Sequence, residues 1–205
     1  QGCNLSTVNC AKVNTEEDFY DAVRAVTIIG TLQAGFNSFP YLGKTSEKIF
    51  AREALLGVSG TGWFEKPDIC LNPEIQRKAA ELAKLTNKMV AAAIGINQAA
   101  RVTCVKPEGT ASCILGTASG IHPHHAKRYI RRVQANKMEA IYQHFQKTNP
   151  RACEESVWSA NRTDDVIAFC IEVPDGSKTK NQITAIELLK TVKSTQQNWV
   201  LPGTN

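Results

Sequence analysis

Long apolar runs are missing from this 205-residue sequence. None approaches the roughly 18 residues that a helix needs to cross a bilayer, which excludes a helical membrane protein. Residues 1–20 lack a basic-then-apolar leader pattern, and the first residue is Gln rather than Met. No two of the seven cysteines are spaced as CxxC, so a zinc ribbon is disfavoured and no metal is expected. An odd number of thiols spread over the whole length makes a poor disulfide framework; a reducing cytoplasm is the simplest compartment. Internal repeats and low-complexity linkers are also missing. Charge of one sign is only mildly in excess: 24 Lys and Arg against 19 Asp and Glu give +5. That suits an anionic small ligand and does not call for nucleic acid.

What is present is a core. Hydrophobic residues make up 42% and charged residues 21%, which excludes a disordered tail. The length suits one domain or a large piece of one. The close, Trp199-Val200-Leu201-Pro202-Gly203-Thr204-Asn205, leaves an apolar segment and a turn with nothing after it. Together with the Gln start, this reads as a single-domain piece over 1–205, incomplete at both ends.

Periodicity places the elements. Residues 3–13 read as a short extended segment. Thr15 to Asp18 open a helix over 16–34, with Phe19, Ala22, Val23, Val26 and Ile29 at helical spacing. A second helix is expected over 45–55, capped by Thr45. Gly57-Val58-Ser59-Gly60-Thr61-Gly62 reads as a glycine-rich loop, either a flexible turn, a rival phosphate loop or part of a pocket wall. Asn72-Pro73-Glu74 starts a long helix to about residue 96. Residues 101–106 are a β-branched strand stopped by Pro107. Strands at 127–133 and 165–173 and helices at 135–148 and 182–199 follow. Strands that mostly alternate with helices predict an α/β fold with parallel pairing.

One local pattern carries chemistry: a strand, a tight turn, then hydroxyl residues, from Val102 to Ser112. Such a turn presents backbone N–H groups outward, and a helix starting near Ala111 adds its positive end, so phosphate is the natural ligand. Gly109 lets the backbone approach closely, and Thr110 and Ser112 offer hydroxyls. The alternative is an ordinary capped turn. His122-Pro123-His124-His125 has no well-placed further ligand and reads as a loop. Lys127, Arg128, Arg131 and Arg132 read as a solvated strand face. Cys104, Cys113 and Cys170 sit among apolar residues and read as small buried hydrophobes. So does Cys3, at the start of a short strand, unless something else gives it a role.

The segments VKPEGTASCILGTASGIHP (105–123), RYIRRVQ (128–134) and SVWSANRTDDVIAFCI (156–171) resemble, in that order, the adenosylcobalamin-dependent (class II) ribonucleotide reductases. The opening CNLSTVN is similar to the segment just downstream of that family's radical-bearing loop. The resemblance implies part of a ten-stranded α/β barrel made of two five-stranded halves. It implies that Pro107, Glu108, Gly109, Thr110, Ala111 and Ser112 hold the phosphates of a ribonucleoside di- or triphosphate. Iron-dependent relatives have an acid and Ser where this chain has Gly109 and Ala111, which shifts the work to backbone N–H groups and Thr110. Cys3 would be one of two thiols that reduce the substrate and become a disulfide. A thiyl radical takes the 3′ hydrogen, the 2′ hydroxyl leaves as water, and the dithiol supplies the electrons. The radical Cys, the other reducing thiol and a tail Cys pair would lie on missing N- and C-terminal pieces. The resemblance also implies adenosylcobalamin, with no contact assignable here, and an external dithiol such as thioredoxin. Cys10, Cys70 and Cys153 have no counterpart. The other reading is a non-catalytic nucleotide-phosphate binding module that keeps the 107–112 turn.

Overall fold

Thr15 starts the first helix by a reciprocal cap. Its hydroxyl accepts from the Asp18 N–H, and the Asp18 carboxylate accepts from the N–H of Thr15. The helix α1 runs Glu16–Ala34 and buries Phe19, Val23, Thr27, Gly30, Thr31 and Ala34 along a single face. That face lies on two parallel strands, β1 (Asn4–Asn9) and β2 (Leu56–Thr61), paired from Asn4↔Leu56 to Asn9↔Thr61. Parallel neighbours need a long crossover; α1 and α2 (Gly43–Glu53) supply it. The helix α2 begins two residues before Thr45, without a side-chain cap, and buries no residue.

The computed structural model describes residues 2–205. The larger of its two units runs up to residue 124 and resumes over 175–205; the smaller spans 125–174. The glycine-rich segment 57–62 is not a loop: β2 covers most of it, and every residue of β2 is buried. Glycine inside a strand marks close approach. A Cβ at Gly60 would stand 2.9 Å from the Cys10 sulphur and from the Trp63 ring. Residues 101–104 run beside β2: the Val58 N–H donates to Val102 O (2.9 Å) and the Cys104 N–H to Val58 O (2.9 Å). The expected strand at 101–106 is held only by isolated bridges, Val58↔Thr103 on one side and Arg101↔Thr204 on the other.

An aromatic trio fills the helix side of this sheet. Ring centroids of Phe19, Trp63 and Trp199 lie 5.8–6.3 Å apart. Both indole N–H groups are satisfied, by Gly60 O at 2.6 Å and Cys104 O at 2.9 Å. The long helix α4 (Pro73–Ile94) starts at Asn72 as read and packs on α1. Between them Asn87 donates to the Thr31 hydroxyl (3.0 Å) and accepts from the Ala99 N–H (2.9 Å). The short helices α3 (Pro67–Cys70) and α5 (Gly109–Leu115) complete the middle of the chain. The last helix is shorter than expected: after α7 (Ala185–Thr195), residues 196–200 widen into a π turn with Leu201 N–H on Gln196 O.

The smaller unit contradicts the parallel expectation. Its strands β3 (Arg128–Asn136), β4 (Cys153–Glu155) and β5 (Asp164–Glu172) lie in the order β3-β5-β4, all antiparallel. Helix α6 (Ala140–Thr148) and a short 3-10 turn at Pro150–Ala152 lie between β3 and β4, and Tyr142 anchors α6 by donating to Asp165. β3 runs on to residue 136, so α6 starts later than residue 135. Of the basic cluster, Lys127, Arg128 and Arg132 are exposed, with Arg128 paired to Glu172 and Arg132 to Glu154, while Arg131 is half-buried beside Tyr129 on the other face of β3. Two small sheets are what the described residues form, so the ten-stranded barrel is not seen in them; a mixed α/β fold is.

Only Cys10 and Cys70 among the seven thiols are buried. Cys113 and Cys170 are exposed and Cys104 is half-buried, against the reading of all three as core. Cys170 faces outward opposite Ile130, itself 61% exposed, and its neighbour Phe169 is exposed as well. Truncating the centre of the aromatic trio tests this core. Trp199→Ala is expected to cost about 3–5 kcal/mol in urea unfolding, with loss of the tryptophan fluorescence change that reports the cluster.

Candidate functional site

The face of the sheet turned away from α1 carries the candidate site. Side chains alternate along a strand, so Cys3, Leu5 and Thr7 share that face with Gly57 and Ser59 of β2. On the α1 side, a Cβ at Gly30 would meet Leu56 and the Ser6 hydroxyl at 3.6 Å, which confirms the alternation. Thr7 donates to the Glu108 carboxylate. The Lys106 N–H donates to the Ser59 hydroxyl (3.0 Å), and the Lys106 ammonium lies 3.3 Å from Glu108. Asn9 donates to Leu115 O at the far end of α5 (3.3 Å). Three of these bonds tie the segment around the 107–112 turn to β1 and β2, and the Lys106–Glu108 pair braces it internally.

The turn itself divides. Glu108 is left-handed, at φ 55°, and N-caps α5 with its side chain fully buried. That conformation is unfavourable for a non-glycine residue, and the bonds to Thr7 and Lys106 offset the cost. Gly109 and Thr110 are exposed and Ala111 is half-buried. A Cβ at Gly109 would meet nothing within 4 Å, so the space above this backbone is open. Ser112 is buried and its hydroxyl is spent on Gly109 O (3.1 Å). The hydroxyl offered to a ligand is therefore that of Thr110, not that of Ser112. The first N–H groups of a helix lack intrahelical partners, so Gly109, Thr110 and Ala111 present donors outward while Glu108 and Ser112 brace the turn from beneath. Pro107 accepts from the Ser119 hydroxyl (2.6 Å) through its carbonyl.

The segment after α5 clamps the turn from the other side. Ala118 O accepts from the Thr61 hydroxyl (2.9 Å) and the Gly62 N–H (3.1 Å), and the Ala118 N–H donates to Glu65 (2.8 Å). Glu65 also meets His124 Nε2 at 2.9 Å, with both side chains buried. Gly120, at φ 51°, sits so close to Lys106 and Pro107 that a Cβ there would stand 2.6 Å from Lys106 O. The histidine run is thus a brace: His124 holds Glu65, and His122 Nδ1 lies 3.1 Å from Ser119 O. No group of three or more metal-ligating side chains occurs among the described residues.

No motif points to Thr7, Glu65 or Ser119 individually, whereas Ser59 lies in the glycine-rich segment read as a possible pocket wall and Lys106 in the Val102–Ser112 pattern; the sequence signal for the supports is the hydroxyls of Ser6-Thr7 and of Ser59 and Thr61. Cys3 is exposed; partial burial pushes its thiol up, and Lys106 pulls the other way. Burial and then the neighbouring Cys3 push Cys104 up to about 12. Both are thiols rather than thiolates at neutral pH.

No protein-family model matches the sequence, and no curated protein matches it. Among solved structures, the crystal structure of a B12-dependent (class II) ribonucleotide reductase matches with a TM-score of 0.68. The identity is 16%, over 97% of this chain and 31% of that one. At this identity the likeness shows the fold, and the chain spans less than a third of that reductase's length.

Two outcomes are expected. Thr7→Val removes a donor from a buried carboxylate and should cost about 1–3 kcal/mol, measured by urea unfolding. Burial disfavours the thiolate of Cys104, so its alkylation in the folded chain should be slower than in urea and still rising with pH at about pH 10. Peptide-level mass spectrometry reads that rate, and equal rates in both states contradict the thiol's burial.

Proposed function

We propose that this chain is part of a ribonucleotide reductase, contributing the substrate phosphate turn and one reducing thiol. One observation carries the reading: Cys3 shares a sheet face with Thr7, and Thr7 holds Glu108, the residue just before the exposed Gly109 and Thr110. Cys3 and Thr7 are four residues apart on an extended strand, about 13 Å at a rise of 3.3 Å per residue. An extended ribonucleoside di- or triphosphate bridges such a span, with phosphate on the turn and ribose toward the thiol. The fold likeness to a class II reductase supports the same reading.

In this reading Pro107, Glu108, Gly109, Thr110, Ala111 and Ser112 form the phosphate loop. Gly109, Thr110 and Ala111 donate to the phosphate, and the other three set the loop's shape. Cys3 supplies one electron and one proton of the two that convert ribose to deoxyribose. A second thiol supplies the rest, the pair becomes a disulfide, and the 2′ oxygen leaves as water. An external dithiol such as thioredoxin restores the pair. The radical-bearing segment and the second thiol come from parts of the barrel outside these 205 residues. The resemblance brings adenosylcobalamin with it, as a group held by the complete enzyme, and none of these 205 residues is assigned a contact to it. No step here depends on it. The proposed compartment is the cytoplasm, where thiols stay reduced; no helix among the described residues is long and apolar enough to cross a membrane.

The chain alone, given adenosylcobalamin and a dithiol, is expected to reduce no nucleotide and to bind ribonucleoside di- and triphosphates weakly in equilibrium titration. Tight binding by the chain alone favours a non-catalytic nucleotide-phosphate module instead. In the reassembled enzyme, Gly109→Val fills the open space above the turn and should raise the substrate's KM about tenfold, the loss of one charge-assisted hydrogen bond. Cys3→Ser should abolish multiple turnover while leaving substrate binding intact.

A further inference from the structure

Two thiols share one gap in the sheet. Cys3 precedes β1 and Cys104 follows Thr103, on opposite sides of β2, and both side chains turn over Gly57. The Cys3 sulphur stands 3.0 Å, and the Cys104 sulphur 3.2 Å, from the point a Gly57 Cβ would occupy. The two sulphurs are therefore no further apart than those two distances laid end to end. Any other residue at position 57 would put a side chain between them. Leu5 closes the remaining side of the gap, its Cδ2 at 2.5 Å from the same point. The two thiols also feel each other electrostatically, since Cys3 is among the causes that hold the Cys104 proton on. Cys3 is exposed and Cys104 half-buried, so a reagent from solvent reaches Cys3 first.

We propose that Cys3 and Cys104 are a redox pair that closes into a disulfide over Gly57 by exchange with a small-molecule disulfide such as oxidised glutathione. The Cys3 sulphur, deprotonated by solvent, attacks the small disulfide. A mixed disulfide forms and one glutathione leaves as thiolate. The Cys104 sulphur then attacks Cys3, its proton goes to solvent, and the second glutathione leaves. The two protein thiols are oxidised by two electrons, and the small disulfide is reduced to two thiols. Closing the bond brings the two Cα atoms within about 7 Å. Cys3 lies before Asn4, the first paired residue of β1, so the required shift falls on a segment outside the ladder.

This assigns Cys3 a partner within this chain and gives Cys104 a role; the reductase reading pairs Cys3 with a thiol outside these residues and gives Cys104 none. That the bond would also take the reducing thiol out of use rests on that reading; the bond itself does not.

The test uses the full chain, reduced and then exposed to oxidised glutathione, with the products mapped by mass spectrometry. Trypsin leaves Cys3 with Cys10 and Cys104 with Cys113 on shared peptides, so fragment ions must place the link. The expected product is two hydrogens lighter and links Cys3 to Cys104. In Cys104→Ser, Cys3 should stop at the mixed disulfide, and the second glutathione should appear about tenfold more slowly or not at all. A Cys3 that keeps its glutathione although Cys104 is present overturns the proposal. So does a Cys3 linked to any other cysteine, or one that does not react. Mapping the unsubstituted chain decides the matter even if Cys104→Ser misfolds. Neither arm involves nucleotide, so the pair can stand when the chain's place in a reductase falls, and the reverse.

Discussion

Strand β2 is buried along its whole length, yet at Gly57 and Gly60 it places no side chain on either face. The space is used at once by its neighbours. On the α1 side, Cys10 and Trp63 come within 2.9 Å of where a Cβ at Gly60 would be, and Trp63 joins Phe19 and Trp199 in the core. On the other side, Leu5, Cys3 and Cys104 converge on Gly57. A parallel strand of ordinary apolar residues would seal both faces. With two glycines the same strand draws a core tightly onto one face and leaves thiols and hydroxyls on the other. The placement of Cys3 relative to the 107–112 turn depends on this close approach.

Two buried carboxylates then fix the turn. Glu108 lies beneath it and takes bonds from Thr7 and Lys106; Glu65 lies behind it and takes bonds from Ala118 and His124. A buried charge is tolerated only with partners, so each carboxylate compels nearby groups to converge. The result is a turn shaped from inside, with Gly109 and Thr110 left open. The acid in the Pro-Glu-Gly-Thr sequence thus supports the turn from beneath.

Much of the larger unit was legible because its signals are local. The Thr15 cap, the Asn72-Pro73 start and the 3.6-residue spacing of α1 and α4 depend on neighbours in sequence. The exposed turn was legible for the same reason, from Pro107, Gly109 and the hydroxyls. What misled was composition read without partners. Gly57 to Gly62 looks like a loop because glycine is a turn residue; it is a strand because residues distant in sequence need the room. Cys170 looks buried among apolar neighbours, but the C-terminal part of β5 is exposed at both Phe169 and Cys170. The parallel expectation for the smaller unit failed because alternating elements do not reveal which strands pair. Ser112 looked like a ligand hydroxyl, and only three-dimensional contact shows it bonded to Gly109. The supports Thr7, Ser59 and Glu65 act across about fifty to a hundred residues of chain, beyond any motif.

In the proposed enzyme the substrate phosphate sits on the 109–111 backbone. Hydrogen exchange in the reassembled enzyme reads those N–H groups directly, with and without ribonucleoside diphosphate or triphosphate. Slowed exchange at Gly109, Thr110 and Ala111 with the phosphorylated nucleotide, and no slowing with the bare nucleoside, is the predicted result. Unchanged exchange there at saturating nucleotide would contradict it.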